Sequence, residues 1–360
     1  MIRKLKFWTI YLLCSGLFIT AASEIFLRFY VSYNPSYYVS FNNIEEGILR
    51  FPYGNIPINS DKFPDQNFYA EKGMRRVGYF GDSVCFGIGA GYGYRLTEHL
   101  ERKFENQEHM NFCHVSNGMN AAAVRDTIML SEKFKLDSIV YLMNLNDILP
   151  SENGTEATKE NVGKKFLDLE TLLGISELRG RSYLYTAVRT LVKNTMVRMG
   201  YESHGHLSYE LFPRENRNVI VETANRIAAL NEKLNAAGIV MTVVILPYEM
   251  QISKNAAETY QNAGIKWGEG FLELETQEIL KETFNAANVT WIDVHAAFMP
   301  PAVSADKEFA VGETFVYNKG DKLDWNHPNR EGHKLIADFL INETLRQQEI
   351  KKLLGFKQSN

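Results

Sequence analysis

The stretch that decides the fold is Arg76-Val77-Gly78-Tyr79-Phe80-Gly81-Asp82-Ser83. Val77-Gly78-Tyr79-Phe80 is a short apolar run closed by Gly81, and it reads as a strand. Ser83 stands where that strand ends and the chain turns, ahead of Gly87, Gly89, Gly91 and Gly93. A serine in that place directs its hydroxyl into the crevice beyond the strand. The glycines let the backbone turn and approach a substrate closely.

Working outward, the same alternation repeats. Tyr94 to Phe104 reads as a helix, Phe112 to Val115 as a second strand and Ala121 to Phe134 as a helix. Ile139-Val140-Tyr141-Leu142-Met143 is a third strand, apolar throughout as buried parallel strands are. Helix Asn216–Leu234, strand Ile239–Leu246, helix Trp267–Phe284, strand Thr290–Val294 and helix Pro328–Leu345 complete the series. Five strands alternating with helices predict right-handed crossovers and one mostly parallel sheet, an α/β fold. Ligands of such sheets bind beyond the carboxyl ends of the strands.

Residues 151–215 interrupt the alternation without a strand of their own. Phe166, Leu169, Leu172 and Leu173 have helical spacing, and so do Leu184, Val188, Leu191 and Val192. Segment 179–200 carries Arg179, Arg181, Arg189, Lys193 and Arg198 and no acid. A basic amphipathic helix can lie on an anionic membrane or grip an acidic polymer. The favoured reading is a helical cap beside the active site with a solvated basic face.

At the other end, Phe7 to Ala22 is uncharged, and apolar residues resume after Glu24 at Ile25, Phe26 and Leu27. That reaches the roughly 20 residues a membrane-crossing helix needs. Arg3, Lys4 and Lys6 precede it, which places the N-terminus in the cytoplasm by the positive-inside bias. An uncleaved signal-anchor competes with a signal peptide cut near Thr20-Ala21-Ala22. Continued apolar character beyond that cut favours the anchor. Either way the rest of the chain leaves the cytoplasm, to the periplasm or the cell exterior. Phe29, Tyr30, Tyr33, Tyr37, Tyr38, Phe41, Phe51 and Tyr53 make 29–53 rich in aromatics, which suit a headgroup layer, packing on the domain or stacking on sugars, and 31–74 reads as a juxtamembrane linker.

Composition sets the outer limits. In 360 residues, 45% are hydrophobic and 23% charged, which excludes a disordered or collagen-like chain. The net charge of −4, with the basic residues of the N-terminus set aside, leaves an acidic remainder and no electrostatic footprint for nucleic acid. Cys14 lies inside the hydrophobic segment. Cys85 and Cys113 read as two buried free thiols, with a disulfide as the alternative in an oxidising compartment. The Asn-X-Thr strings at Asn153, Asn288 and Asn342 are what composition gives by chance.

Asp324-Trp325-Asn326-His327-Pro328 precedes the last helix. A serine hydroxyl needs a base to take its proton, and an imidazole base needs an acceptor to fix its tautomer. Asp324 and His327, three apart in a turn, can both face one crevice, with Asp324 on one ring nitrogen and Ser83 near the other. Gly118, after the second strand, can present a free backbone N–H. Asn146, after the third, can donate its amide into the same place, and such donors stabilise a developing oxyanion. Each fragment alone also reads as a turn or a helix cap.

Gly81-Asp82-Ser83, Gly118, Asn146-Asp147 and Asp324-x-x-His327, in this order and at these strand ends, resemble the blocks of the SGNH (GDSL-type) hydrolases. The resemblance covers about 75–347. It implies a flavodoxin-like three-layer α/β/α fold with a five-stranded sheet, and ester hydrolysis through an acyl-enzyme with no cofactor or metal. It assigns Ser83 as nucleophile, His327 as base and Asp324 as the residue orienting His327. The oxyanion hole it implies comprises the Ser83 N–H, the Gly118 N–H and the Asn146 side chain. The N-terminal span with Glu24-x-x-Leu27-Arg28 looks like a membrane-anchored bacterial branch.

Two positions depart from the family pattern. Asn144 holds the usual glycine position of the third block, which narrows the pocket or alters the approach to Asn146. Ala121 takes a second small position of the second block.

Three other places weigh less. His204-Gly205-His206 lacks an accompanying acid or cysteine cluster and reads as a loop. Asp293-Val294-His295 suits a strand end, and His333 a structural position in the last helix.

The sequence thus predicts a span over 1–30, a linker over 31–74, a hydrolase-like domain over 75–347 with a helical insertion at 151–215, and a tail at 348–360. Expected substrates are O-acyl, including O-acetyl, esters of envelope or exported glycans. A polysaccharide O-acyltransferase using the same serine, or a non-catalytic glycan-binding or scaffold protein, are the alternatives.

Overall fold

The computed structural model describes residues 2–33, 44–45, 47–51, 54–69, 71–115, 118–150, 182–185, 187–188, 191–192, 209–263, 265–299, 309–316 and 324–346. The chain divides into two compact units. One comprises Met1–Glu45, Ala157–Leu207 and Asn318–Lys322; the other comprises the remainder.

In the first unit, α1 (Ile2–Tyr33) contains an apolar stretch, Phe7–Tyr30, with mean hydropathy 1.8 and no part of it buried. It is long and apolar enough to cross a bilayer. Its one carboxylate has a defined task. Glu24 accepts from the Ser182 hydroxyl at 2.9 Å and from the backbone N–H groups of Tyr183 and Leu184 at 3.0 and 2.8 Å. Residues 183–185 are helical, so Glu24 satisfies first-turn donors that have no partner within a helix. Arg28 pairs with Glu24 at 2.9 Å and lies over the Tyr183 ring. Leu184, Val188, Leu191 and Val192 are all in helical residues, with Val188, Leu191 and Val192 exposed. Phe166, Leu169, Leu172 and Leu173, and the five basic residues of 179–200, lie outside the described residues, as do His204 and His206.

The second unit opens with an antiparallel hairpin, β1 (Ile48–Phe51) and β2 (Gly54–Pro57), within the stretch read as linker. Then comes the alternation: β3 (Arg75–Gly81), α2 (Ser83–Phe86), α3 (Leu96–Lys103), β4 (Gln107–Asn111), α4 (Ala121–Lys133), β5 (Ser138–Met143). It continues with α5 (Arg217–Ala236), β6 (Val240–Ile245), α6 (Glu249–Ile252), α7 (Lys254–Asn262), α8 (Glu275–Ala286), β7 (Thr290–Asp293) and α9 (Arg330–Arg346). The sheet order is β4-β3-β5-β6-β7, all parallel. This is the flavodoxin-like order, whose switch point lies between β3 and β5. Gly81 is opposite Leu142, so Ser83 and Asn146 leave the sheet at one level beside that switch point.

Burial explains the layers. On α5, Ile220, Ala224, Ile227, Leu230 and Leu234 repeat at helical spacing and are wholly buried. They join Leu130 of α4, Ile279 and Phe284 of α8, and Tyr141, Met143, Val243 and Ile245 of the sheet in one apolar cluster. Each such side chain contributes roughly 1.5–3 kcal/mol. Helices α3 and α9 contact each other outside that cluster, and Leu96, Leu100, Ile336 and Leu340 are their buried residues.

Three readings change. The second strand is Gln107–Asn111, not Phe112–Val115. Two of its buried polar residues meet partners from neighbouring segments. Glu108 accepts from Arg76 at 2.7 Å and from the Tyr69 N–H at 2.9 Å. His109, which burial pulls down to about 3, stays neutral and pairs with the Tyr79 hydroxyl at 2.7 Å. The helix expected over 267–284 starts only at Glu275, since Gly270 and Leu274 adopt positive φ (87° and 65°) and form a turn. Cys85 and Cys113 are not free thiols but a disulfide, joining α2 to the segment leaving β4.

Candidate active site

Ser83 is the first residue of α2. Asp82 caps that helix: its Oδ1 accepts from the Val84 N–H at 2.9 Å, fixing the turn between β3 and α2. Gly81 has φ 152°, and a side chain there would meet the Leu142 carbonyl at 2.5 Å. Only glycine lets the strand turn so sharply against β5.

The structure brings Ser83, His327 and Asp324 into line. His327 Nε2 lies 2.8 Å from Ser83 Oγ. Its Nδ1 lies 2.9 and 2.8 Å from the two Asp324 carboxylate oxygens. Asp324 Oδ1 also accepts from the His327 backbone N–H at 3.2 Å. Asp324 therefore holds Nδ1 as the donor and leaves Nε2 as the acceptor for the serine proton. Ser83 is 7% exposed, so its hydroxyl is largely shielded from water.

Gly118 is buried and lies against the turn that carries Asn146. A Cβ at 118 would meet Leu149 Cδ1 at 2.8 Å and Asp147 Cα at 3.5 Å. Asn146 sits in a single 3-10 turn, Leu145–Asp147, at the end of β5. Both predicted donors thus reach one end of the sheet.

Asn144, at the position where a glycine is usual in the resembled block, takes a supporting place. It is wholly buried and donates from Nδ2 to Asp82 Oδ2 at 3.1 Å. Its backbone N–H donates to Asp147 Oδ2 at 3.2 Å, and the Tyr141 hydroxyl donates to the same oxygen at 2.7 Å. Burial pushes the Asp82 carboxyl up, opposed by the His327 charge and by hydrogen bonds from Val84, Asn144 and Asn146. Burial pushes Asp147 well up, and the Asp82 charge adds to it. A buried polar network thus supports the serine from behind; Asp82, Asn144 and Asp147 stand in the motif blocks, while Tyr141 does not. Ala121 begins α4, whose cap is the Asn120 side chain bonded to the Ala123 N–H.

The weaker candidates take structural places. Asp293 pairs with Lys281 at 2.6 Å, and His295 Nε2 meets the Gln251 carbonyl at 3.1 Å. His333 is buried, lowered to about 3 by that burial, and accepts from the Leu96 N–H at 3.2 Å. Among the described residues no cluster of His, Cys, Asp and Glu is set to hold a metal.

No family model matches the chain, and neither does any curated protein. Among solved structures it is similar to TesA, at 10% identity and TM-score 0.40, over 75% of this chain and 98% of that one. It is also similar to the psychrotrophic esterase EstA from Pseudoalteromonas sp., at 13% identity and TM-score 0.38, over 76% of this chain and 100% of that one. A GDSL-like lipase from Bacteroides thetaiotaomicron has 10% identity and TM-score 0.37, over 77% of this chain and 88% of that one. The chain resembles the SGNH hydrolases in motif order.

Proposed function

We propose that this protein is a serine ester hydrolase of the SGNH type. The observation that carries the reading is the Ser83–His327–Asp324 line, with 2.8 Å from Oγ to Nε2. His327 takes the Ser83 proton as Oγ attacks the ester carbonyl. The Ser83 and Gly118 N–H groups and the Asn146 amide hold the oxyanion. His327 then protonates the leaving alcohol and activates water to release the acyl group. The catalytic domain is 75–347 and needs no metal or cofactor.

The anchored reading has two supports. Glu24, inside the apolar stretch, accepts three bonds from 182–184, donors that would lose their carboxylate if α1 were removed. The Cys85–Cys113 bond belongs to an oxidising compartment, which agrees with a catalytic domain outside the cytoplasm. O-acyl esters of envelope or exported glycans fit that placement as substrates. Cells expressing the full chain should retain it in the membrane after alkaline extraction, at the intact mass; a soluble chain starting near Ser23 contradicts the anchor.

The test of the activity is hydrolysis of a short-chain p-nitrophenyl ester by the full chain. Ser83→Ala and His327→Ala are each expected to lower kcat by about 10³-fold or more. An unchanged rate in either variant contradicts the assignment.

A further inference from the structure

The loop carrying Asp324 and His327 is held through its backbone from three elements. The Glu249 N–H, at the start of α6, donates to the Trp325 carbonyl at 2.9 Å. The Tyr260 hydroxyl, from α7, lies 2.8 Å from the Asp324 carbonyl. The Val316 N–H donates to the His327 carbonyl at 2.9 Å. The Glu249 side chain joins these three supports. Its Oε2 is hydrogen-bonded to the Tyr260 hydroxyl, and its Oε1 accepts from the Gly312 N–H at 2.6 Å. Gly312 lies in the same 309–316 segment as Val316.

Counting protons gives this cluster two states. Tyr260 has one hydroxyl proton, while the Asp324 carbonyl and a carboxylate can only accept. Both Tyr260 bonds form together only when Glu249 is protonated. Glu249 then donates to Tyr260 Oη, and Tyr260 donates to the Asp324 carbonyl. Once Glu249 ionises, its carboxylate is the stronger acceptor and draws the Tyr260 proton, and the carbonyl loses that donor. Burial raises Glu249 to about 7, and the Asp324 charge pushes it the same way. Among the described residues, Asp324 is the charged group facing Glu249. Tyr260 from α7 and the Gly312 N–H are its polar neighbours, and neighbouring Glu313 bonds instead to the Ala310 N–H.

We propose that Glu249 and Tyr260 are positioning residues: the proton held along Glu249, Tyr260 and the Asp324 carbonyl seats the Asp324–His327 loop against Ser83, and its loss loosens that loop. This rests on the serine-hydrolase reading above. The cluster acts on the backbone of the orienting acid and touches no substrate. Neither residue stands in a motif block, so neither had a signal in the sequence.

The test is the rate at which a fluorophosphonate probe modifies Ser83, read as intact mass, in the full chain from about pH 5.5 to about pH 9. Wild type is compared with Glu249→Gln and Tyr260→Phe. The Gln amide donates to Tyr260 at every pH, and its oxygen still accepts from Gly312. The wild-type rate is expected to decline above about pH 7 as Glu249 ionises. Glu249→Gln should lack the decline and exceed wild type by about threefold to tenfold at the alkaline end. Tyr260→Phe should also lack the decline, at a lower rate throughout. Superimposed wild-type and Glu249→Gln curves overturn the positioning role and leave the serine reading intact. No modification of wild-type Ser83 at any pH overturns both. Should Glu249→Gln fail to fold, a Tyr260→Phe curve that keeps the alkaline decline overturns the proposal alone.

Discussion

Ser83 and His327 stand 244 residues apart in sequence and 2.8 Å apart in space. Asp324, on the far side of the ring, sets which nitrogen faces the serine. Asp324→Asn keeps the shape but presents an amide that can donate to Nδ1 and favour the wrong tautomer. The esterase kcat should fall by about 10³–10⁴-fold with little change in KM. Steady-state kinetics of the variant check this, and a fall of less than tenfold contradicts the role given to Asp324.

The Cys85–Cys113 bond ties the helix that begins with Ser83 to the chain that leads from β4 to Gly118. It closes a span of 28 residues. A loop of that size implies about 3–4 kcal/mol of stabilisation. Replacing both cysteines with alanine should lower stability by that order in chemical denaturation. Activity should fall as well, because nucleophile and oxyanion donor lose a shared tether.

Asn144 is buried with its amide on Asp82. Asn144→Gly restores the residue usual in the family but leaves the Asp82 oxygen short of a donor and opens a void. Stability should fall by about 1–3 kcal/mol. An unaltered denaturation midpoint contradicts a supporting role for the network behind Ser83.

Glu210 is buried, raised to about 7 by that burial, and accepts from the Tyr248 hydroxyl at 2.9 Å. A carboxyl raised in the folded state holds a proton that the unfolded chain releases above about 4.5. The stability it contributes is therefore full at low pH and is lost as pH rises through about 7. Glu210→Gln keeps the acceptor and removes the ionisation. The variant should gain on wild type as pH rises from about 4.5 to about 7, by a few kcal/mol at the upper end. Urea denaturation at pH 5 and pH 8 measures the difference; an equal gap at both contradicts it.

The parallel sheet was legible because Val77–Phe80, Ile139–Met143 and Val240–Ile245 are apolar enough to declare themselves, and because Ser83 and Asn146 follow strand ends and His327 precedes the last helix. β4 was not. Its Gln107, Glu108 and His109 are polar, and Glu108 and His109 find Arg76, Tyr69 and Tyr79 only through the fold. Pairing across 30 or more residues leaves no local pattern. The same holds for the disulfide, since two cysteines 28 apart carry no statement about Cα separation. Glu249 and Tyr260 lie between the strand and the helix that the sequence predicts, and only the approach of residues 312 and 324 gives them a task.

The central claim is that Ser83 is an activated nucleophile. Its most direct test is covalent: the full chain is treated with a fluorophosphonate probe near neutral pH, and intact and peptide masses are measured. One adduct is expected, located on Ser83 and lost in His327→Ala. A folded chain whose Ser83 stays unmodified, or is modified equally without His327, contradicts it.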